Sequence, residues 1–316
     1  MQPTCGLSYL AILLQLASHS VSALTGKDNP CAASYSAIIA FGDSLSDTGN
    51  GSWKISNATW PANPSYYGGR FSNGLVWIEY VAANLSIPLY NYAVGGATTS
   101  NSLVQGYTGP GSSIPVPSIQ DQVSNFLKHS SSDIPDASPL FVLFGGANDV
   151  LFNPNVTAAQ SYQEIMASRS ALLAHFPNAT FMVLDYPDLS RIPYAYYITR
   201  LDKHIIRAFS QGLTKLYADL SSDCRTDGSS RLIFVNLPQL FNQWEYYAEP
   251  RDYGFDALGA YGSCLVGVYK ETETVSLCSD PSSKVFWDEY HPTTRAHSFI
   301  AEKVLDALGS SGRCRM

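Results

Sequence analysis

Short apolar runs recur along the chain, each followed by a polar, glycine-containing segment and then by a stretch with helical spacing. The runs are Ala37–Phe41 (AIIAF), Leu89–Val94 (LYNYAV), Leu140–Phe144 (LFVLF), Thr180–Leu184 (TFMVL) and Leu232–Val235 (LIFV). Near-continuous apolar character, rather than alternation, is what a strand needs when both faces of its sheet are covered, as in parallel sheets. Leu75–Leu85 and Ile119–His129 read as amphipathic helices, and Thr157–Phe176 as a longer one, opened by a Thr and closed before Pro177. Thr199–Leu220 and Thr293–Leu308 complete the helical set. The alternation predicts an α/β fold: a three-layer, doubly wound sandwich around a mainly parallel five-stranded sheet. Gln105–Pro117, rich in Gly and Pro, reads as a surface loop.

Composition narrows the function classes. A hydrophobic fraction of 45%, with 20 Tyr and 14 Phe, supplies a core and argues against a disordered chain. With 14% charged residues and a net charge of −7, nothing draws the chain electrostatically to nucleic acid or to an anionic membrane. At 316 residues two domains would be an ordinary expectation, but no repeat, low-complexity tract or linker divides the chain. One domain is the better reading, and a monomer is expected.

The first 23 residues contain no Asp, Glu, Lys or Arg, and Leu7–Ala17 is apolar. Val21-Ser22-Ala23 then places small residues at −3 and −1 of a cleavage site, so residues 1–23 read as a secretory signal peptide. The apolar stretch is too short to span a bilayer, which needs about 20 residues. Residues 24–316 would then be a secreted domain. It would hold Cys31, Cys224, Cys264, Cys278 and Cys314, an odd number. Cys264 and Cys278 bracket a polar, irregular segment and form the most plausible bridge; how the other three pair stays open. No C-x-x-C or zinc-spaced Cys/His group occurs, so neither metal nor cofactor is expected. Asn-x-Ser/Thr sequons stand at Asn50, Asn57, Asn84, Asn155 and Asn178. All but Asn50, which sits inside a motif, are expected glycan sites.

In an open α/β sheet ligands bind at the carboxyl ends of the strands. The polar chemistry sits there. Gly42-Asp43-Ser44-Leu45-Ser46-Asp47-Thr48-Gly49-Asn50 follows the first run, Gly95-Gly96-Ala97-Thr98 the second, and Gly145-Gly146-Ala147-Asn148-Asp149 the third. Trp287-Asp288-Glu289-Tyr290-His291-Pro292-Thr293 precedes the last helix. Each residue alone has an ordinary reading as a cap, a turn or a core histidine. Asp47, Asp149 and Asp185, also at strand ends, are read as loop caps. No single ordinary reading explains why Ser, Gly, Asn and Asp-x-x-His all stand at strand ends.

In this order the four blocks resemble the GDSL (SGNH) hydrolase superfamily, over about Ile38 to Leu308. The resemblance implies a flavodoxin-like fold and serine-dependent ester hydrolysis. Ser44 would be the nucleophile, His291 the general base and Asp288 its orienting carboxylate. The N–H groups of Ser44 and Gly96 and the amide of Asn148 would form the oxyanion hole. A serine hydroxyl is a poor nucleophile until a neighbouring base accepts its proton, and a carboxylate on the far ring nitrogen fixes the tautomer. The nucleophile elbow, Walker A, H-E-x-x-H and G-x-G-x-x-G patterns do not occur.

Trp60-Pro61 and Tyr66-Tyr67, before Gly69-Arg70-Phe71-Ser72-Asn73-Gly74, look most like the secreted acetylesterases of carbohydrate esterase family 16. That implies acetylated plant cell-wall oligosaccharides, such as xylo-oligosaccharides, as substrates. Trp53, Trp60, Tyr66 and Tyr67 become expected sugar-stacking residues, although core packing explains each equally well. The alternatives are a GDSL lipase or short-chain carboxylesterase, and a secreted sugar-binding protein that has lost catalysis.

Overall fold

Every position of strand β1 (Ala37–Gly42) is buried, because it lies inside a sheet covered on both faces. β1 pairs in parallel with β2 (Leu89–Asn91) on one side and with β5 (Pro139–Phe144) on the other. The sheet then continues in parallel through β6 (Thr180–Leu184) to β7 (Leu232–Val235). The order β2-β1-β5-β6-β7 is the doubly wound arrangement expected, and its direction reverses between β1 and β5. A crevice at the carboxyl end of the sheet follows from that reversal. The structure is a computed structural model that describes residues 35–62, 65–134, 138–227, 232–269 and 274–312. The expected signal peptide, Cys31 and Cys314 lie outside the described residues, as does the Cys224 side chain.

Helices form two layers. On one, α2 (Trp77–Leu85) packs against α8 (Thr294–Gly312). On the other, α3 (Ile119–His129) packs on α5 (Ala158–His175), and α5 on α6 (Arg200–Asp227). Helix starts follow local chemistry. Ser118 accepts from Asp121 N and Thr157 from Gln160 N, each within a capping box. Ile206, Phe209, Leu213 and Tyr217 mark the buried stripe of α6 at three- and four-residue spacing. No helix among the described residues is long and apolar enough to cross a membrane.

Two sequence expectations change. β2 stops at Asn91, three residues before the end of the apolar run. The reason is local: the Asn91 side-chain oxygen accepts from Ala93 N (3.0 Å), turning the backbone. Gln105–Pro117 is not simply a loop. It holds an antiparallel hairpin, β3 (Gly106–Thr108) with β4 (Ile114–Val116), turned through Gly109 and Gly111 at positive φ. Short helices α1 (Ser52–Ile55), α4 (Ala147–Phe152) and α7 (Leu237–Gln243) and a minimal strand pair, β8 (Leu265–Val266) with β9 (Ser276–Leu277), fill the connections. The Cys264–Cys278 disulfide forms beside that pair, as expected. Asn57, Asn84, Asn155 and Asn178 are all exposed, the condition a glycan requires.

Asp185 ties the end of β6 to α7, accepting from Leu237 N at 2.8 Å. Burial raises its carboxyl from 3.8 to about 7, so the folded protein keeps a proton that the unfolded chain releases near pH 4. The stability this proton confers is complete below pH 4 and is lost as pH rises through 7. Urea unfolding of the wild type and Asp185→Asn at pH 4, 5.5 and 7 checks this. The difference between the two should change by on the order of a few kcal/mol across that interval, with Asp185→Asn gaining relative stability as pH rises.

Candidate active site

The loop after β1 is built around buried carboxylates. Asp43 Oδ1 accepts from Leu45 N (3.1 Å), turning the chain so that Ser44 stands at the top of the sheet. Asp47 accepts from four backbone N–H groups: Gly49 (2.9 Å), Gly51 (3.1 Å), Ser52 (2.7 Å) and Gly95 (2.9 Å). The last of these fastens the Ser44 loop to the glycine pair after β2. Asn91 adds a second tie, donating to Ser46 O at 2.6 Å. Below Ser44, the Gln122 amide from α3 pairs with both Gly42 N and Gly42 O at 2.9 Å.

The segment before α8 delivers the other half of the site. His291 Nε2 lies 2.8 Å from Ser44 Oγ across 247 residues of sequence. His291 Nδ1 lies 2.8 Å from both carboxylate oxygens of Asp288. With Nδ1–H facing the carboxylate, Nε2 is the acceptor and the Ser44 hydroxyl donates to it. Asp288 is fully buried, and its Oδ1 also accepts from Tyr290 N and His291 N, both at 2.8 Å. These bonds hold Asp288 and His291 in one turn, on one side of the chain. Phe71 packs its ring 4.9 Å from the imidazole. This arrangement can take the Ser44 proton and stabilise the imidazolium that results.

Gly96 and Asn148 line the same cavity as His291. Gly96 sits at φ 88°, and a Cβ there would lie 1.9 Å from Tyr107 O, so no other residue fits under the β3–β4 hairpin. The Asn148 amide donates to Ala97 O at 2.9 Å and makes a long 3.4 Å contact with Asp43 Oδ2. Asp43 Oδ2 also accepts from the Tyr186 hydroxyl, and burial raises its carboxyl to about 6 despite that bond. Asp149 caps the neighbouring loop, accepting from Thr99 N (2.8 Å), Thr99 Oγ1 and Ser161 Oγ.

The cavity holds about 320 Å³. Leu151, Ile192, Leu237 and Ile300 line it together with His291 and Asn148, and its walls are mainly apolar. Among the described residues, no three His, Cys, Asp or Glu gather as metal ligands would.

The four expected sugar-stacking residues separate. Tyr67 is 53% exposed, with the Arg70 guanidinium 5.3 Å from its ring centroid. Trp60 is buried but lines the cavity, its ring edge-on to Tyr269. Trp53 is half-buried against Gly69. Tyr66 is placed otherwise than expected: 3% exposed, its ring stands between Phe71 and Trp287, which leaves no face for a sugar. Its hydroxyl instead donates to Asp288 Oδ2 at 2.7 Å. No local signal ties residues 222 positions apart.

Comparison with known proteins identifies the family. The chain is 32% identical over 293 residues to a thermolabile hemolysin of Vibrio parahaemolyticus, covering 88% of this chain and 65% of that protein. It is 28% identical over 301 residues to an acetylesterase of Thermothelomyces thermophilus, covering 89% and 91% of the two. Among solved structures, a carbohydrate esterase family 2 enzyme from Corynascus thermopiles matches with a TM-score of 0.49 at 16% identity, over 87% of this chain and 66% of that one. The GDSL-like Lipase/Acylhydrolase family matches residues 38–304. Because that match runs through every strand of the central sheet and into the last helix, the chain belongs to this family and is a carboxylic ester hydrolase.

Proposed function

We propose that this protein is a secreted serine esterase that removes acetyl groups from carbohydrates, xylo-oligosaccharides among them, through an acyl-enzyme on Ser44. The observation that carries the reading is the hydrogen-bonded series Ser44–His291–Asp288 at the edge of a cavity. Ser44 Oγ attacks the ester carbonyl carbon as its proton passes to His291 Nε2. The bond from that carbon to the sugar oxygen then breaks, and the departing oxygen takes the proton from Nε2. Water repeats the sequence in reverse and frees acetate. Asp288 holds the imidazole and its transient charge. The N–H groups of Ser44 and Gly96 and the Asn148 amide stabilise the negative oxygen.

The acetyl-carbohydrate assignment draws on the acetylesterase relative, similar along nearly all of both chains. The aromatic faces of Tyr67, exposed, and Trp60, at the cavity, suit a sugar. A second reading rests on the cavity itself. About 320 Å³ of mainly apolar space exceeds the needs of one methyl group and would seat a longer acyl chain.

A series of p-nitrophenyl esters from acetate to palmitate, run beside acetylated xylo-oligosaccharides, separates the two. The acetyl reading expects kcat/KM to be highest for acetyl esters and acetate to be released from the oligosaccharides; a maximum at octanoate or beyond replaces it with the second. Ser44→Ala should leave no more than a few per cent of activity on p-nitrophenyl acetate, and substantial residual turnover would refute the acyl-enzyme. Asn148→Ala should lower kcat by about 10²–10³-fold, with KM little changed. An equal rise in KM with kcat intact would assign the amide to ground-state binding instead.

A further inference from the structure

The segment from Tyr66 to Gly74 grips the loop that carries Asp288 and His291. Ser72 Oγ donates to Pro292 O at 2.9 Å, and Asn73 Oδ1 accepts from Thr294 N at 2.8 Å. Gly74 lies so close to Thr294 that a Cβ would come within 2.6 Å of its hydroxyl. Arg70 anchors the segment to α2 through two bonds with Glu79, at 2.9 and 2.6 Å. Within this brace only Tyr66 reaches the carboxylate itself.

We propose that Tyr66 is a positioning residue for the reaction, acting through Asp288. The inference rests on the acyl-enzyme reading. Asp288 Oδ1 already carries two backbone bonds besides its contact with the imidazole. Oδ2 has the imidazole and Tyr66, so the phenol fixes the carboxylate about its own bond axis and keeps both oxygens in line with Nδ1. It also draws charge from the carboxylate and limits how tightly the imidazolium is held. Burial, with the Asp288 charge next, holds the phenol well above its ordinary pKa, so Tyr66 stays a donor at every pH where the enzyme works.

Other titratable groups face this pair. Tyr269 is buried against the pair and interacts with Tyr66, Asp288, Tyr290 and Glu289. Asp43 and His297 couple to His291. Of these, Tyr269 shares a hydrogen bond with the phenol, so Tyr269→Phe, which leaves the Tyr66–Asp288 bond in place, is the control that separates the two.

Tyr66→Phe keeps the ring and removes the hydroxyl, with its bond to Asp288 Oδ2 and its hydrogen bond with Tyr269. On p-nitrophenyl acetate, kcat should fall about 10-fold with KM held. The acid limb of the kcat/KM profile should move to higher pH, since a carboxylate without the phenol is more basic and holds the imidazolium more tightly. The low-field Nδ1 proton resonance of His291 should shift as well. If kcat, the pH profile and that resonance all superimpose on the wild type, or if only Tm falls, Tyr66 is a packing residue and the proposal is wrong. Genetically encoded 3,5-difluorotyrosine at position 66, a stronger donor, keeps the test decisive should Tyr66→Phe not fold: the acid limb should move to lower pH, and an unmoved limb is equally fatal. A wild type without esterase activity would overturn the acyl-enzyme reading, and the proton resonance alone would then decide the role of Tyr66.

Discussion

A carboxylate taken out of water must be met by donors, and in this protein the donors are chiefly backbone N–H groups. Asp47 collects four of them, Asp288 two, and Asp43, Asp149 and Asp185 one each. Every one of these bonds fixes a loop at or near the carboxyl end of the sheet. A chain with few cations thus shapes the loops of this surface mainly with its own backbone donors. Asp47 is central, since its bond to Gly95 joins the loop after β1 to the loop after β2. The position of Ser44 relative to Gly96 follows from that junction together with the Asn91 tie to Ser46.

The fold was legible because its signals are local and repeated. Continuous apolar runs marked all five sheet strands, and Thr157 marked the start of α5. Short elements escaped for particular reasons. Helix α4 begins at Gly146, at φ 123° and with no capping side chain, so no residue announces it. Helix α7 does carry a signal, Asn236 as cap with Pro238 behind it, in a segment too short for periodicity to show. The strands of the β3–β4 hairpin are three residues each, and Pro115 in the second argued against a strand.

Site residues divided the same way. Ser44, Gly96, Asn148, Asp288 and His291 each stand in a block at a strand end or before the last helix, so order along the chain was enough to nominate them. The partnership of Tyr66 with Asp288 is a property of the packed structure alone. Aromatic residues near a site are ambiguous in sequence, because stacking on a ligand and donating from a buried hydroxyl draw on the same side chain. Burial resolves the ambiguity: Tyr67 is open to solvent and its neighbour Tyr66 is not.

The separation of Ser44 from His291 has a bearing on when the chain becomes reactive. Ser44 is among the first parts of the fold to be made, and His291, whose ring nitrogen it meets, is among the last, 247 residues later. Until the segment before α8 has been made and docked, the Ser44 hydroxyl has no imidazole to accept its proton. On the proposed mechanism, a nascent chain therefore carries Ser44 without the means to use it until His291 is in place.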